Sequence, residues 1–348
     1  MTFLKYISLL LLLLLQFSES YLFGKTPIEY TVSFTGGYDS NVLRFSDEEF
    51  DRAKNVPDIM GTLNTFDSFV SKFSVSMKKS IIFNRKNSIG LSGFITYSDY
   101  YNSVDKKYWS SGFDIFYKWG SYRNIKYSLR HLDKFYLRHY IDRDISTDNL
   151  AACLFTDRNQ IINITGKLSR SIWSSIGLGY LQRYYLRPFI EFDLNIPYWK
   201  ARINYKIKNI GTIALQINSG RAINDSHLGT QRPSSFNRSY HTLEWYIPIT
   251  ISRKLPIIDQ LGLSTRIENR LYDAEDSNDP LHAGRYHQDA KYDLWFKKNL
   301  KGDISLKFTS RYRQRKTDSK YIWVKDLKSF RQLQFWFNIE WDLIYDNY

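Results

Sequence analysis

Basic residues recur at even spacing along several stretches of this 348-residue chain, and that spacing is where chemistry is first to be sought. Lys126, Arg130, Lys134 and Arg138 are each four apart. Lys200, Arg202 and Lys206 share one parity, as do Lys307, Arg311, Arg313 and Arg315. Successive side chains of a β-strand alternate between its faces, so on strands each set lies on one face and builds a ladder of positive charge. Carboxylates share the same faces: Asp114, Glu244, Glu268, Asp289, Asp293 and Glu340. Fixed cations around a water-filled passage select anions. The same residues also suit a lumen lined by mixed salt bridges with no transport role.

The chain offers little to an enzyme. Hydrolases need a Ser/His pair with a third orienting group. The six histidines are His131, His139, His227, His241, His282 and His287. Asp225, Ser226 and His227 are neighbours in sequence, which does not make a triad. His282, His287 and Asp289 are the set that a metal at one strand end would use. Each reads more simply as a loop or interface polar residue. There is no Gly-rich phosphate loop, zinc signature or nucleophile elbow. No catalytic residue, cofactor or metal is assigned. The single cysteine, Cys153, excludes an internal disulfide framework and a Cys-rich metal site.

The elements that must carry these ladders are legible from the C-terminus backwards. Leu333, Phe335, Phe337, Ile339, Trp341, Leu343 and Tyr345 alternate with Gln334, Trp336, Asn338, Glu340 and Asp342. A period of two is that of a strand. This stretch is longer than a soluble sandwich needs, and a tilted strand that spans a bilayer takes about 9–11 residues. Residues 1–20 place Lys5 before an apolar run, Ile7–Leu15, and then small residues, which is the order of a secretory signal peptide. The barrel is then expected over residues 21–348. No later run approaches the length of a membrane helix. Aromatics make up 17% of the chain, which fits aromatic belts at two interfaces. The mean hydropathy of −0.43 is what alternation produces.

Read in order, the alternating stretches number about 14, with connections that alternate long and short. Expected strands include 67–83, 88–100, 108–120, 124–141 and 190–208, the last with a bulge at Pro197. The segment Phe45–Thr65 reads as a long loop, with enough length to fold inward. The connection around Asn102–Lys107 also reads as long. Parity places Phe94, Phe116, Tyr136, Trp295 and Trp336 inward, where their bulk narrows a pore. The fold class is therefore all-β, a transmembrane antiparallel up-and-down barrel. Charges on a lipid face cost about 2–4 kcal/mol each at the midplane, so the phase of the ladders agrees with it.

The final stretch resembles the C-terminal strand of bacterial outer-membrane barrels, which ends in alternating aromatics that the assembly machinery recognises. Tyr348 departs from the commoner terminal Phe and is out of phase with Tyr345. Gly37-Tyr38-Asp39-Ser40-Asn41 resembles the first-strand signature in the barrels of surface-lipoprotein assembly modifiers. Those proteins carry a helical repeat domain ahead of the barrel, for which this chain has no room. The expected function is a porin-like pore for small hydrophilic solutes, anions included. The alternatives are an export or assembly barrel for a polysaccharide or surface protein, and a membrane-embedded lipid-modifying enzyme. The net charge of +14 without a nucleic-acid motif points to outer-membrane lipids and lipopolysaccharide, or an anionic solute, as partners. Nucleic acid is not expected.

Overall fold

A computed structural model describes residues 26–345 apart from 84–86, 143–144, 147–148, 230–235 and 253–256. The leader expected at 1–20 and the terminal Tyr348 lie outside the described residues. The strands are β1 (Ile28–Asp39), β2 (Ser68–Phe83), β3 (Ser88–Tyr100), β4 (Ser103–Lys118), β5 (Asn124–Ile141), β6 (Leu150–Lys167) and β7 (Ile172–Tyr185). They continue as β8 (Leu194–Ile207), β9 (Gly211–Ala222), β10 (Tyr240–Ile251), β11 (Gln260–Tyr272), β12 (Tyr286–Asn299), β13 (Ile304–Asp318) and β14 (Phe330–Tyr345). Each pairs antiparallel with its neighbours in sequence, and β14 closes on β1 into a 14-strand barrel. Closure leaves no sheet edge, which a membrane requires.

The alternation has its expected cause. On β14, Leu333, Phe335, Phe337, Ile339 and Trp341 face outward, each 36–49% exposed. Between them Gln332 and Gln334 are buried on the inner side. Outward apolar residues continue around the wall as Phe73, Ile95, Ile115, Ile162, Leu178, Ile203, Leu263 and Leu294. This band is the lipid-facing surface of a transmembrane barrel.

The first long connection is more than a loop. Residues 47–55 form a helix, α1 (Asp47–Asn55), and Pro57–Met60 a 3-10 turn. Ser46 caps α1: its Oγ accepts from the Glu49 N–H, and the Glu49 side chain accepts from the Ser46 N–H. That Ser-x-x-Glu capping box is a local signal. The segment packs its apolar side inside the barrel mouth. Val42, Leu43, Phe45, Ile59, Met60 and Leu63 are buried with Val70 of β2, Tyr100 of β3 and Tyr136 of β5, against Leu154 of β6 and Trp336 of β14. A second inward helix, α2 (Ile322–Lys328), lies in the β13–β14 connection beside α1.

Three expectations change. Only Tyr101 and Asn102 join β3 to β4, and β4 already starts at Ser103, so that connection is short. The inward loop takes the place of a local one there: Asn102 bonds Ser68 Oγ, Thr65 Oγ1 and the Asp67 carbonyl. Residues Ile190–Phe192 form a 3-10 turn, and the strand begins at Leu194. No register shift occurs at Pro197; the pairing to β7 runs unbroken from Leu194 to Tyr205. Leu194 and Ile196 are apolar because they face inward, where they pack with Ala222 and Tyr240 in the plugged mouth. Finally, the segment expected as a loop at 317–326 is strand to Asp318 and then mostly α2.

Candidate functional site

The inner wall carries the charge. On β5 the parity places Lys126 and Arg130 inward. Arg130 pairs with Asp114 of β4 at 2.7 Å and lies over the Phe94 ring. The four-residue ladder is interrupted at Lys134. Register shifts between Leu132 and Phe135, so two residues oppose one across the pair, as in a bulge. Lys134 there has φ +43° and an exposed side chain. Arg138 resumes the inner side, with its guanidinium on the Glu49 carboxylate of α1 at 2.5 Å.

On β12 and β13 the acids and bases interlock. Asp293 holds Arg311 through two bonds, 2.7 and 3.1 Å. Asp289 holds Arg313 at 2.8 and 2.6 Å and also Arg315 at 3.2 and 2.9 Å. Such forked pairs fix both partners. Glu268 pairs with Arg270, Glu244 with Arg266 at 3.7 Å, and Glu340 with Lys297 at 3.7 Å. Sequence reasoning did not single out Arg183, whose fork grips Asp157 at 2.8 Å twice. The signal was available, because the two face each other in the β6–β7 hairpin register.

Five of the predicted basic residues behave differently. Lys126, Lys200, Arg202, Lys206 and Lys307 form no ion pair with a described carboxylate. Arg202 donates to Asn204 Oδ1 at 2.8 Å, and Lys307 sits 4.7 Å over the Trp295 ring. Lys200 of β8 feels Arg202 beside it, Lys126 of β5 and Arg266 of β11, with Glu244 the opposing charge. The β5 and β11 strands lie three places to either side of β8 in the ring, so these cations form a partial girdle along the inner wall.

At the loop end the barrel is filled. Lys106 Nζ donates to the Val42 carbonyl at 2.6 Å, and Arg138 Nη2 to the Leu43 and Arg44 carbonyls at 2.7 and 2.8 Å. Trp336 sits over Gly37, where a Cβ would overlap its ring, and Lys72 caps that ring at 4.2 Å. Tyr136 is also buried there, whereas Phe116 is buried at the other end of β4, opposite Lys126 and beside the short β4–β5 turn. A cavity of about 100 Å³ remains near the mouth, lined by residues that include Arg183, Arg238, Arg270, Tyr272 and His282.

The histidines bond elsewhere than to one another. His282 Nδ1 meets the Asp279 carboxylate at 2.8 Å, His287 Nδ1 the Thr317 hydroxyl at 2.9 Å, and His227 Nδ1 the Asn224 carbonyl at 2.6 Å. Burial drives His282 down to about 4 despite Asp279. Among the described residues no three metal-ligating side chains gather. The Gly37–Asn41 signature lies at the seam between the first and last strands. Asp39, 2% exposed, accepts from Gln332 at 2.7 Å, Gln334 at 2.8 Å and the Asn41 N–H at 3.1 Å. Asn41 donates to the Phe45 and Arg331 carbonyls, both at 2.9 Å.

No protein-family model matches the chain, and no curated protein matches it. Solved structures with a loosely similar course include Pseudomonas aeruginosa OprD, at 9% identity and a TM-score of 0.41 over 91% of this chain and 95% of that one. Acinetobacter baumannii OccAB4 gives 10% identity and 0.43 over 92% and 99%. Pseudomonas aeruginosa OccK3 gives 10% identity and 0.39 over 91% and 96%.

Proposed function

We propose that this chain is an outer-membrane channel that passes small hydrophilic solutes and prefers anions. The observation that carries the reading is the girdle of Lys126, Lys200 and Arg202 on the inner faces of β5 and β8, which form no ion pair with a described carboxylate, joined by Arg266 of β11 with its partner Glu244. Fixed charge of one sign at a low-dielectric constriction favours counter-ions and repels co-ions. The plug of residues 42–63 narrows the loop end and sets the size of what passes. The β14 strand, with its outward aromatics, is the segment that the assembly machinery takes up. The forked Asp293–Arg311 pair of β12 and β13 serves mainly to stiffen the wall, since each of its charges is answered.

Single-channel recording tests this. Folded protein in a planar bilayer under a salt gradient gives stable steps and a reversal potential on the anion side. Absence of conductance from protein shown to be folded removes the channel, and a cation-side potential removes the anion preference.

A further inference from the structure

We propose that the plug carries a built binding site for a small oxyanion, a phosphate or a carboxylate, between Arg44 of the first loop and Arg313 and Arg315 of β13. It rests on the channel reading in so far as such anions reach the site through the lumen. Arg44 adopts φ +57°, a conformation uncommon for a non-glycine residue that persists only where the surroundings enforce it. Here they do. The Val42, Leu43 and Arg44 carbonyls are held by Lys106 and Arg138, and Asn41 clamps Phe45 through both its N–H and its carbonyl. The Arg44 N–H bonds the Asn41 carbonyl, to which Gln332 also donates, and Gln332 is registered opposite Arg313, so the backbone holds Arg44 on the β13 side of the plug, where the charges of Arg313, Arg315 and Asp289 act on it.

The site has too few acids. Asp289 already receives Arg313 and Arg315. The other carboxylates near the five cations Arg44, Lys106, Arg138, Arg313 and Arg315 are Asp39 and Glu49. Asp39 is taken by two glutamine amides and the Asn41 N–H. Glu49 is taken by Arg138 and the Ser46 N–H. Five bases against three acids leave a surplus of two positive charges. Arg44 Nε is buried and has no hydrogen-bond partner among the described residues. A buried charge without a partner destabilises the fold, and a bound counter-ion relieves it. Arginine forks match an oxyanion in geometry, which a halide does not provide. Crowding by Arg313 and Arg315, after burial itself, pulls the Arg44 guanidinium down to about 9.

The test is calorimetric titration of the full folded protein in chloride buffer with inorganic phosphate, and separately with succinate. One ion bound per chain is expected, with affinity reduced at least tenfold by Arg44→Gln and little changed by Lys200→Gln. Heat-modifiable gel migration checks that each variant is folded, and Arg44→Lys, which keeps the charge but not the fork, falls between. Binding of phosphate alone assigns a tetrahedral oxyanion, and binding of succinate alone a carboxylate. Either supports the site. No saturable binding, equal binding by Arg44→Gln, or displacement by equimolar chloride overturns it. Protein that binds phosphate but passes no current keeps the site and removes the channel. Protein that conducts anions but binds neither probe does the reverse.

Discussion

Arg138, on β5, reaches the Glu49 carboxylate of α1 at 2.5 Å, with both side chains only 11% exposed. This pair ties the plug to the β5 wall. Removal of one partner from a buried ion pair costs about 3–5 kcal/mol, because the other charge is left unanswered. Glu49→Gln is expected to loosen the plug and to give larger or flickering conductance steps with the barrel intact. Step size and noise identical to the parent protein would mean that the loop is held by its apolar packing alone.

Asp39 is the clasp of the seam. Asp39→Asn turns an acceptor-only group, which faces three donors, into one that opposes them with its own N–H. A buried polar mismatch costs about 1–3 kcal/mol. The expected result is a lower temperature for the shift in gel mobility that marks barrel unfolding. The double variant with Gln334→Leu should lose less than the two single losses combined, because the two residues share the interaction. Strict additivity would show that they act apart.

Gly37 makes room for Trp336. A Cβ there overlaps the indole ring and the Phe335 carbonyl, whereas one at Gly166 meets nothing within 4 Å. Overpacking costs about 1–3 kcal/mol. Thermal unfolding is therefore expected to separate Gly37→Ala, destabilised, from Gly166→Ala, unchanged.

The girdle is read by electrophysiology. Lys200→Glu replaces one positive charge by a negative one in a ring that also holds Lys126, Arg202 and Arg266. The reversal potential should move toward the cation side, with a smaller shift at high ionic strength, where the Debye length is about 3 Å at 1 M. Lys134→Glu, on the exposed bulge, should move it much less.

His282 gives the 273–285 loop an acid limit. Burial holds its imidazole at about 4, with Asp279 pulling upward and Arg285 and Arg238 downward. The free group titrates near ~6.5. Between those values the unfolded loop binds a proton that the folded loop refuses. The stabilisation is complete above ~6.5 and is lost as the pH falls toward 4. Amide exchange in this loop should quicken over that window, and His282→Gln should flatten the response.

The sequence by itself determined the strands. A period of two states which residues share an environment, and local alternation is enough to place 14 strands and most of their connections. The capping box at Ser46 and Glu49 was equally local and was there to be read. What alternation cannot state is which apolar environment a face meets. Leu194 and Ile196 contact the packed mouth, while Trp199 and Ile203 contact lipid, and one signal serves both. The bulge at Lys134, the two-residue β3–β4 turn and the inward course of residues 42–63 depend on partners far away in the chain: Thr156, Asn102, Arg138, Trp336. Only the tertiary structure decided these, and with them the position of Arg44, because the acids and carbonyls that fix one cation and leave another unanswered lie on strands that meet only when the barrel closes.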